Sequence, residues 1–172
     1  MNPTPRLGLI AGAVFFAIDQ VVKWIVTGPL GLVEQSDTRE LLPIFNLTLV
    51  HNRGVSLGFL HADSEAARWG LVALTIAIAI GVVVWMVRER NRTDQFALGL
   101  VLGGALGNIL DRVRLGHVTD YADLHFGDWR PFLIFNLGDA FITVGVLVLL
   151  VRALLVRDKP RAERASVENI DA

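Results

Sequence analysis

The chain has 172 residues, of which 53% are hydrophobic and 19% charged, and its formal net charge is -1. This length favours one domain, and soluble domains usually carry more charge, about a quarter of their residues. The near-neutral charge argues against a nucleic-acid-binding protein. The absence of cysteine excludes disulfides, a thiol nucleophile and thiolate metal sites. With only 6 prolines and no low-complexity tract, the chain is neither disordered nor fibrous, and its composition indicates a small polytopic membrane protein.

Four apolar segments are long enough to cross a bilayer, because about 20 residues at ~1.5 Å each span a hydrocarbon core of ~30 Å. The first contains Asp19 and Lys23 and lacks a following cleavage site, so it is predicted to be a retained helix and not a signal peptide. The fourth is interrupted only by Asn136 and Asp139. The predicted spans are about 7–26, 69–87, 96–110 and 132–151.

Basic residues predict the orientation of these spans. Nine Lys and Arg lie around Arg6, between the second and third spans, and after the fourth, against six on the other side. Because cytoplasmic loops carry the excess of Lys and Arg, both termini are predicted to lie in the cytoplasm. We expect residues 1–158 to form one membrane-embedded domain and residues 159–172 to form a flexible polar tail.

The two outer loops, residues 28–66 and 111–131, carry strand signals. The predicted strands are Ile44–Val50, a short run near Gly54 and Gly58, and Val118–Phe126. The expected fold is therefore an α-helical polytopic membrane protein, with four transmembrane helices and a small β-rich extracytoplasmic cradle.

Aspartates at bilayer depth give the strongest functional signal, because a buried carboxylate is costly there. On a helix that starts with the fourth span, Asp139 would lie ~12 Å below the helix start, with Asn136 on the same face. Asn108 and Asp111 repeat this spacing at the end of the third span. Two such faces on neighbouring helices predict one shared polar site, with Asp120 on the loop that connects them.

The same residues are also compatible with purely structural roles. Asp111 beside Arg112 is compatible with an ion pair at a helix end, and Asn136 is compatible with hydrogen bonding between helices. Asp19 and Lys23, at i, i+4, are predicted to be a neutralising structural pair. Ion or proton conduction is an alternative to catalysis at Asp139.

Glycines on the third span predict close helix packing. Gly99, Gly103 and Gly107 repeat every four residues, a pattern that lets helix backbones approach each other. No metal site or cofactor is predicted, because the histidines lack the H-E-x-x-H spacing and no phosphate-binding loop is present.

The polar motifs resemble those of the bacterial lipoprotein signal peptidases (signal peptidase II) in order and in spacing. The resemblance covers nearly the whole chain except the tail, and the run from Gly103 to Asp120 is the most specific part. Tyr121 stands where the family often has Phe, and Val55-Ser56-Leu57 replaces a run that is often small-small-aromatic. The matching segments are Asp19-Gln20-Val21-Val22-Lys23, His51-Asn52-Arg53-Gly54 with Gly58-Phe59, Gly103 to Tyr121, and Phe135-Asn136-Leu137-Gly138-Asp139.

The resemblance implies an aspartic endopeptidase of the bacterial inner membrane, active as a monomer without a cofactor. Such enzymes remove the signal peptide of a prolipoprotein before a diacylglyceryl-modified cysteine. The family's catalytic pair falls on Asp120 and Asp139. Its supporting and substrate-binding positions fall on Asn52, Gly54, Asn108, Asp111, Arg112 and Asn136.

Other functions have weaker sequence support. A proton- or cation-coupled transporter would use Asp19, Asp111 and Asp139, but the chain shows no internal repeat. Gly138-Asp139 also resembles part of the Gly-x-Gly-Asp element of presenilin-like and prepilin proteases, although position 136 is Asn. A scaffold protein would not need the clustered aspartates.

Overall fold

The computed structural model describes residues 5–54 and 65–156. The predicted tail, the expected short run near Gly58 and the departure at Val55-Ser56-Leu57 lie outside these residues. The elements in chain order are α1 (Arg6–Thr27), β1 (Thr38–Leu42), β2 (Phe45–Asn52), α2 (Glu65–Arg88), α3 (Arg92–Leu115), β3 (Val118–Leu124) and α4 (Leu137–Val156).

The four α-helices are each long and apolar enough to cross a membrane, which confirms the predicted transmembrane helices. α3 is the least apolar and the most enclosed of them. It packs against α1, α2 and α4, so it is the central helix of the bundle. The other three turn many large apolar side chains outward, as lipid-facing helices do.

The glycines of α3 allow this close packing. A Cβ atom at Gly99 would lie 2.6 Å from the carbonyl oxygen of Gly8, and one at Gly103 would lie 2.7 Å from that of Gly12. Gly107 continues the same stripe against α1. The predicted packing role is confirmed, and it brings the polar side chains of α1 and α3 together.

The three strands form one antiparallel sheet in the order β1-β2-β3. β2 and β3 match predicted strands, whereas β1 was not predicted, because its five residues are all exposed and show no apolar alternation. In the β2–β3 register Val50 pairs with Asp120 and Asn52 with Val118. Asn52 and Asp120 are therefore diagonal neighbours on one face of the sheet.

An apolar cluster joins the sheet to the C-terminal end of α1. Its buried members are Val26, Leu32, Leu47, Leu49, Tyr121 and Ala122. Burial of these side chains stabilises the sheet at that end of the helix bundle.

The start of α4 differs from the prediction. The predicted fourth span began at residue 132, but the helix begins at Leu137, because Phe135 is paired with β3. The Phe135 amide donates to the Ala122 carbonyl at 3.2 Å, and the Ala122 amide donates back at 2.7 Å. The expected depth of ~12 Å along a helix is therefore wrong for Asp139, which lies in the first turn of α4.

The end of α3 also differs. The helix continues to Leu115 and ends where Gly116 takes a positive φ of 80°. Asn108 and Asp111 therefore lie within the helix, one turn or more before its end, and not at its terminus.

Candidate active site

Asp120 lies in β3 and is almost fully buried, with 1% of its surface exposed. Its Oδ1 accepts a hydrogen bond from Asn136 Nδ2 at 2.6 Å, and its Oδ2 accepts one from Asn52 Nδ2 at 2.9 Å. Burial raises the pKa of Asp120 to about 6, although these two hydrogen bonds oppose the shift. The negative charge of Asp139 adds to the increase.

Asp139 lies in the first turn of α4 and is held by two donors. Its Oδ1 accepts from Asn108 Nδ2 at 2.8 Å, and its Oδ2 accepts from the backbone amide of Asn136 at 3.2 Å. The Asp139 amide in turn donates to Asn136 Oδ1 at 3.1 Å. This reciprocal pair is a capping box, in which Asn136 caps α4 and Asp139 closes the box.

Asn136 joins the two aspartates. It is fully buried, its side-chain amide donates to Asp120, and its backbone amide donates to Asp139. The structure therefore brings Asp120 of β3 and Asp139 of α4 to the two sides of one asparagine, although 18 residues separate them in the sequence.

A buried ion cluster lies behind this pair. Lys23 Nζ is 2.9 Å from Asp19 Oδ2 and 2.9 Å from Asp111 Oδ2, and it donates to Asn108 Oδ1 at 3.2 Å. The predicted pair of Asp19 and Lys23 is present and is extended by a second carboxylate. Asp111 contacts Lys23 and, in the part of the chain that the structure describes, makes no ion pair with Arg112.

The same carboxylates hold backbone groups of neighbouring elements. Asp19 Oδ1 accepts from the Gly138 amide at 2.9 Å, which joins α1 to the first turn of α4. Asp111 Oδ2 accepts from the Thr119 amide at 3.1 Å, which fixes β3 just before Asp120. These contacts make the ion cluster the frame on which both candidate aspartates are held.

Arg112 lies next to this frame without a fixed partner. Among the described residues its side chain has no hydrogen bond or ion pair, and its Nε is buried. Its positive charge nevertheless interacts with the negative charges of Asp139, Asp120 and Asp111. Its guanidinium therefore has donors that no described residue uses.

A cleft of about 610 Å³ opens beside Asp120. One wall is Val50–Gly54, which includes Asn52, and the other is Arg130–Ile134. Within the second wall Phe132 and Leu133 are 62% and 75% exposed. The first wall, together with Asp120, is thus the polar side of the cleft, and the second wall, apart from Arg130, is its apolar side.

Sequence reasoning missed two polar side chains of the site. Gln20 Nε2 donates to Asp19 Oδ2 at 3.1 Å and to Asp111 Oδ1 at 3.2 Å. Its position between the two charged residues of the first motif was the available signal. The Tyr121 hydroxyl accepts from the Leu137 amide at 3.2 Å, a bond that Phe at this position would lack.

Comparison with known proteins gives one consistent family. Residues 11–155 match the family model described as "Signal peptidase (SPase) II". The lipoprotein signal peptidase of Sphingopyxis alaskensis is 54% identical over 158 residues, which cover 92% of this chain and 91% of that protein. The lipoprotein signal peptidase of Rhizorhabdus wittichii is 51% identical over 166 residues, or 96% of this chain and 94% of that protein.

The fold is also similar to a solved structure. A bacterial membrane enzyme determined in meso at 2.3 Å resolution superposes with a TM-score of 0.76 at 28% identity. The match covers 90% of this chain and 92% of that one.

Proposed function

Since this chain belongs to the signal peptidase II family, we propose that it is an aspartic endopeptidase that removes the signal peptide of diacylglyceryl-modified prolipoproteins. Its family and its four membrane-spanning helices make it a multi-pass membrane protease. The observation that carries the aspartic mechanism is the pair of Asp120 and Asp139 on either side of Asn136. The cut is proposed to fall just before the lipidated cysteine.

In the proposed reaction the two carboxylates divide the acid and base roles. Two close carboxylates do not both ionise readily, so they share a proton. Asp120 is the acid, because burial raises its pKa to about 6 and favours its protonated form. Asp139 is then the base, and two N–H donors orient its carboxylate in the first turn of α4.

The steps follow from these roles. Asp139 takes a proton from a water molecule, which attacks the scissile carbonyl carbon, while Asp120 donates a hydrogen bond to the carbonyl oxygen. Collapse of the tetrahedral intermediate breaks the C–N bond, and a carboxyl proton passes to the leaving amine. This acid–base chemistry needs neither a metal ion nor a covalent enzyme intermediate.

The surroundings support binding of a lipidated peptide. The free donors of Arg112 are suited to peptide carbonyl groups, which lose water on entering the site. Asn52 and Gly54 line the cleft on its polar side, where they are proposed to contact the substrate backbone. The apolar wall at Phe132 and Leu133 is proposed to face the acyl chains, which stay in the bilayer.

We place the enzyme in the bacterial inner membrane as a monomer, with both termini cytoplasmic and the cleft at the outer face. The excess of Lys and Arg on the terminal side supports this orientation. Because the chain has no cysteine, single cysteines can be introduced to report on this orientation. In intact spheroplasts, a membrane-impermeant maleimide should label Ser36→Cys and should label Thr93→Cys only after permeabilisation. The reverse pattern would contradict the orientation.

The transporter alternative receives no support from the family or from the relatives. The proposed function is tested by incubating the purified protein in detergent with a diacylglyceryl-modified prolipoprotein. We expect release of the signal peptide from this precursor and no release from the unlipidated precursor. Equal cleavage of both would contradict the proposed substrate class, and cleavage of neither would contradict the proposed activity.

A further inference from the structure

Three asparagine amides surround the candidate aspartates in one common arrangement. Asn52, Asn108 and Asn136 each point the NH2 group at an aspartate carboxylate. The amide oxygen of each is held by a separate N–H donor. For Asn52 that donor is the Gly54 amide at 3.1 Å, and for Asn136 it is the Asp139 amide at 3.1 Å.

Asn108 differs in that its oxygen is held by a side chain. Lys23 Nζ donates to Asn108 Oδ1 at 3.2 Å, while Asn108 Nδ2 donates to Asp139 Oδ1 at 2.8 Å. An ammonium group only donates hydrogen bonds, and an ionised carboxylate only accepts them. An asparagine between the two is therefore fixed with its oxygen toward Lys23 and its NH2 group toward Asp139.

We propose that Lys23 is a positioning residue of the reaction, which fixes the amide of Asn108 so that its NH2 group faces Asp139. The inference rests on the proposed role of Asp139 as base. Without the ammonium, Asn108 can rotate its amide and turn its oxygen toward the carboxylate. That orientation removes one donor from the base and places two acceptors against each other.

The ammonium is itself held in place. Its side chain is 6% exposed, and Asp19 and Asp111 lie on it at 2.9 Å each. The three N–H groups of the Lys23 ammonium thus have three acceptors. The carboxylates of Asp19 and Asp111 fix the ammonium, and the ammonium in turn fixes the amide oxygen of Asn108. According to this proposal, the pair of Asp19 and Lys23 positions a group of the active site and also stabilises α1.

A double-mutant cycle separates positioning from a purely structural role. The four proteins are wild type, Lys23→Met, Asn108→Ala and the double variant, compared by kcat and KM at matched amounts of folded protein. Lys23→Met should lower kcat by about tenfold to hundredfold, as expected for a hydrogen bond that involves charged groups. In the Asn108→Ala background the same change should lower kcat less than about twofold, because the group on which Lys23 acts is gone.

Two further variants complete the test. Lys23→Arg keeps a charged donor and should recover part of the lost kcat. Arg152→Met removes the cation of another ion pair, 2.6 Å from Asp94, at the other end of α3, and should leave kcat unchanged. If Lys23→Met does not fold, the cycle is run with Asp111→Asn in every arm, which removes one unpaired buried carboxylate.

An equal loss of kcat from Lys23→Met in both backgrounds would overturn the proposal and show a structural role. That result would leave the proposed function intact, since the wild type would still cleave the lipidated precursor. Failure of the wild type to cleave, in contrast, would contradict the proposed function itself.

Discussion

Asn136 and Asp139 hold each other through two reciprocal hydrogen bonds, in which the backbone amide of each donates to the side chain of the other. This contact starts α4 and orients Asp139 in the same step. Because the Asn136 side chain also donates to Asp120, the helix cap is the link between the two candidate catalytic groups. The capping and linking functions use different atoms of Asn136, so they can be separated by mutation.

Asn136→Ser should separate these two functions. A serine oxygen can still accept the Asp139 amide and cap the helix, but it cannot reach Asp120 as the amide does. We expect Asn136→Ala to lose about 0.5–2 kcal/mol of stability together with most activity. Asn136→Ser should recover the stability without the activity, as measured by thermal unfolding in detergent and by cleavage. Recovery of both by serine would contradict the proposed link to Asp120.

Gly104 sets the spacing between α3 and α4 just below the site. A Cβ atom at this position would overlap the Gly138 carbonyl, next to Asp139. Gly104→Ala should therefore destabilise the protein by about 1–3 kcal/mol, as overpacking does. Gly81→Ala in α2 is the control, because a Cβ there meets no atom within 4 Å. It should be neutral or slightly stabilising in the same unfolding measurement, and equal destabilisation by both would contradict the packing account.

For Arg112 we predict a substitution that lowers activity but leaves stability nearly unchanged. Since its side chain has no hydrogen bond or ion pair among the described residues, Arg112→Lys should change the melting temperature little. Lysine cannot reproduce the planar array of donors of a guanidinium, so kcat/KM should fall. Steady-state kinetics and thermal unfolding on the same preparations test this. A large loss of stability with normal kinetics would assign Arg112 a structural role.

The raised pKa of Asp120 predicts a pH dependence of stability. The pKa is about 6 in the fold against an ordinary value of 3.8, so the folded state favours the protonated carboxyl. This contribution is complete below about pH 4 and is lost as the pH rises through 6, a change of about 3 kcal/mol. Relative to Asp120→Asn, the wild type should lose stability between about pH 4 and pH 6 and change little above that. A stability difference between the two proteins that stays constant over this range would contradict the raised pKa of the buried Asp120 carboxyl.

The sequence was sufficient for the parts of the fold that depend on local patterns. The apolar segments predicted four membrane helices, and the glycine repeat at Gly99, Gly103 and Gly107 predicted close packing of the third helix. Clustering of Asn108, Asp111 and Asn136 near Asp139 was also predicted, since costly polar groups in a membrane must meet each other.

Contacts between segments that are distant in the sequence were harder to predict. The fourth apolar run suggested a helix from residue 132, but the pairing of Phe135 with β3 depends on a strand earlier in the chain. Asn136 three residues before Asp139 was the local signal for a later helix start, because that spacing is typical of a capping box. No sequence pattern indicated that Lys23 contacts Asn108, since that contact depends on how α1 packs on α3.

The central claim is that Asp120 and Asp139 together cleave the substrate. The direct measurement compares cleavage of a diacylglyceryl-modified prolipoprotein by wild type, Asp120→Asn and Asp139→Asn, with folding monitored by thermal unfolding. Asp94→Asn is the control, because Asp94 also takes part in an ion pair, with Arg152, but lies at the N-terminal end of α3, away from the cleft. We predict a loss of about 10²- to 10⁴-fold in each of the first two variants and near-normal cleavage in the control. Normal cleavage by a folded Asp120→Asn or Asp139→Asn would contradict the account.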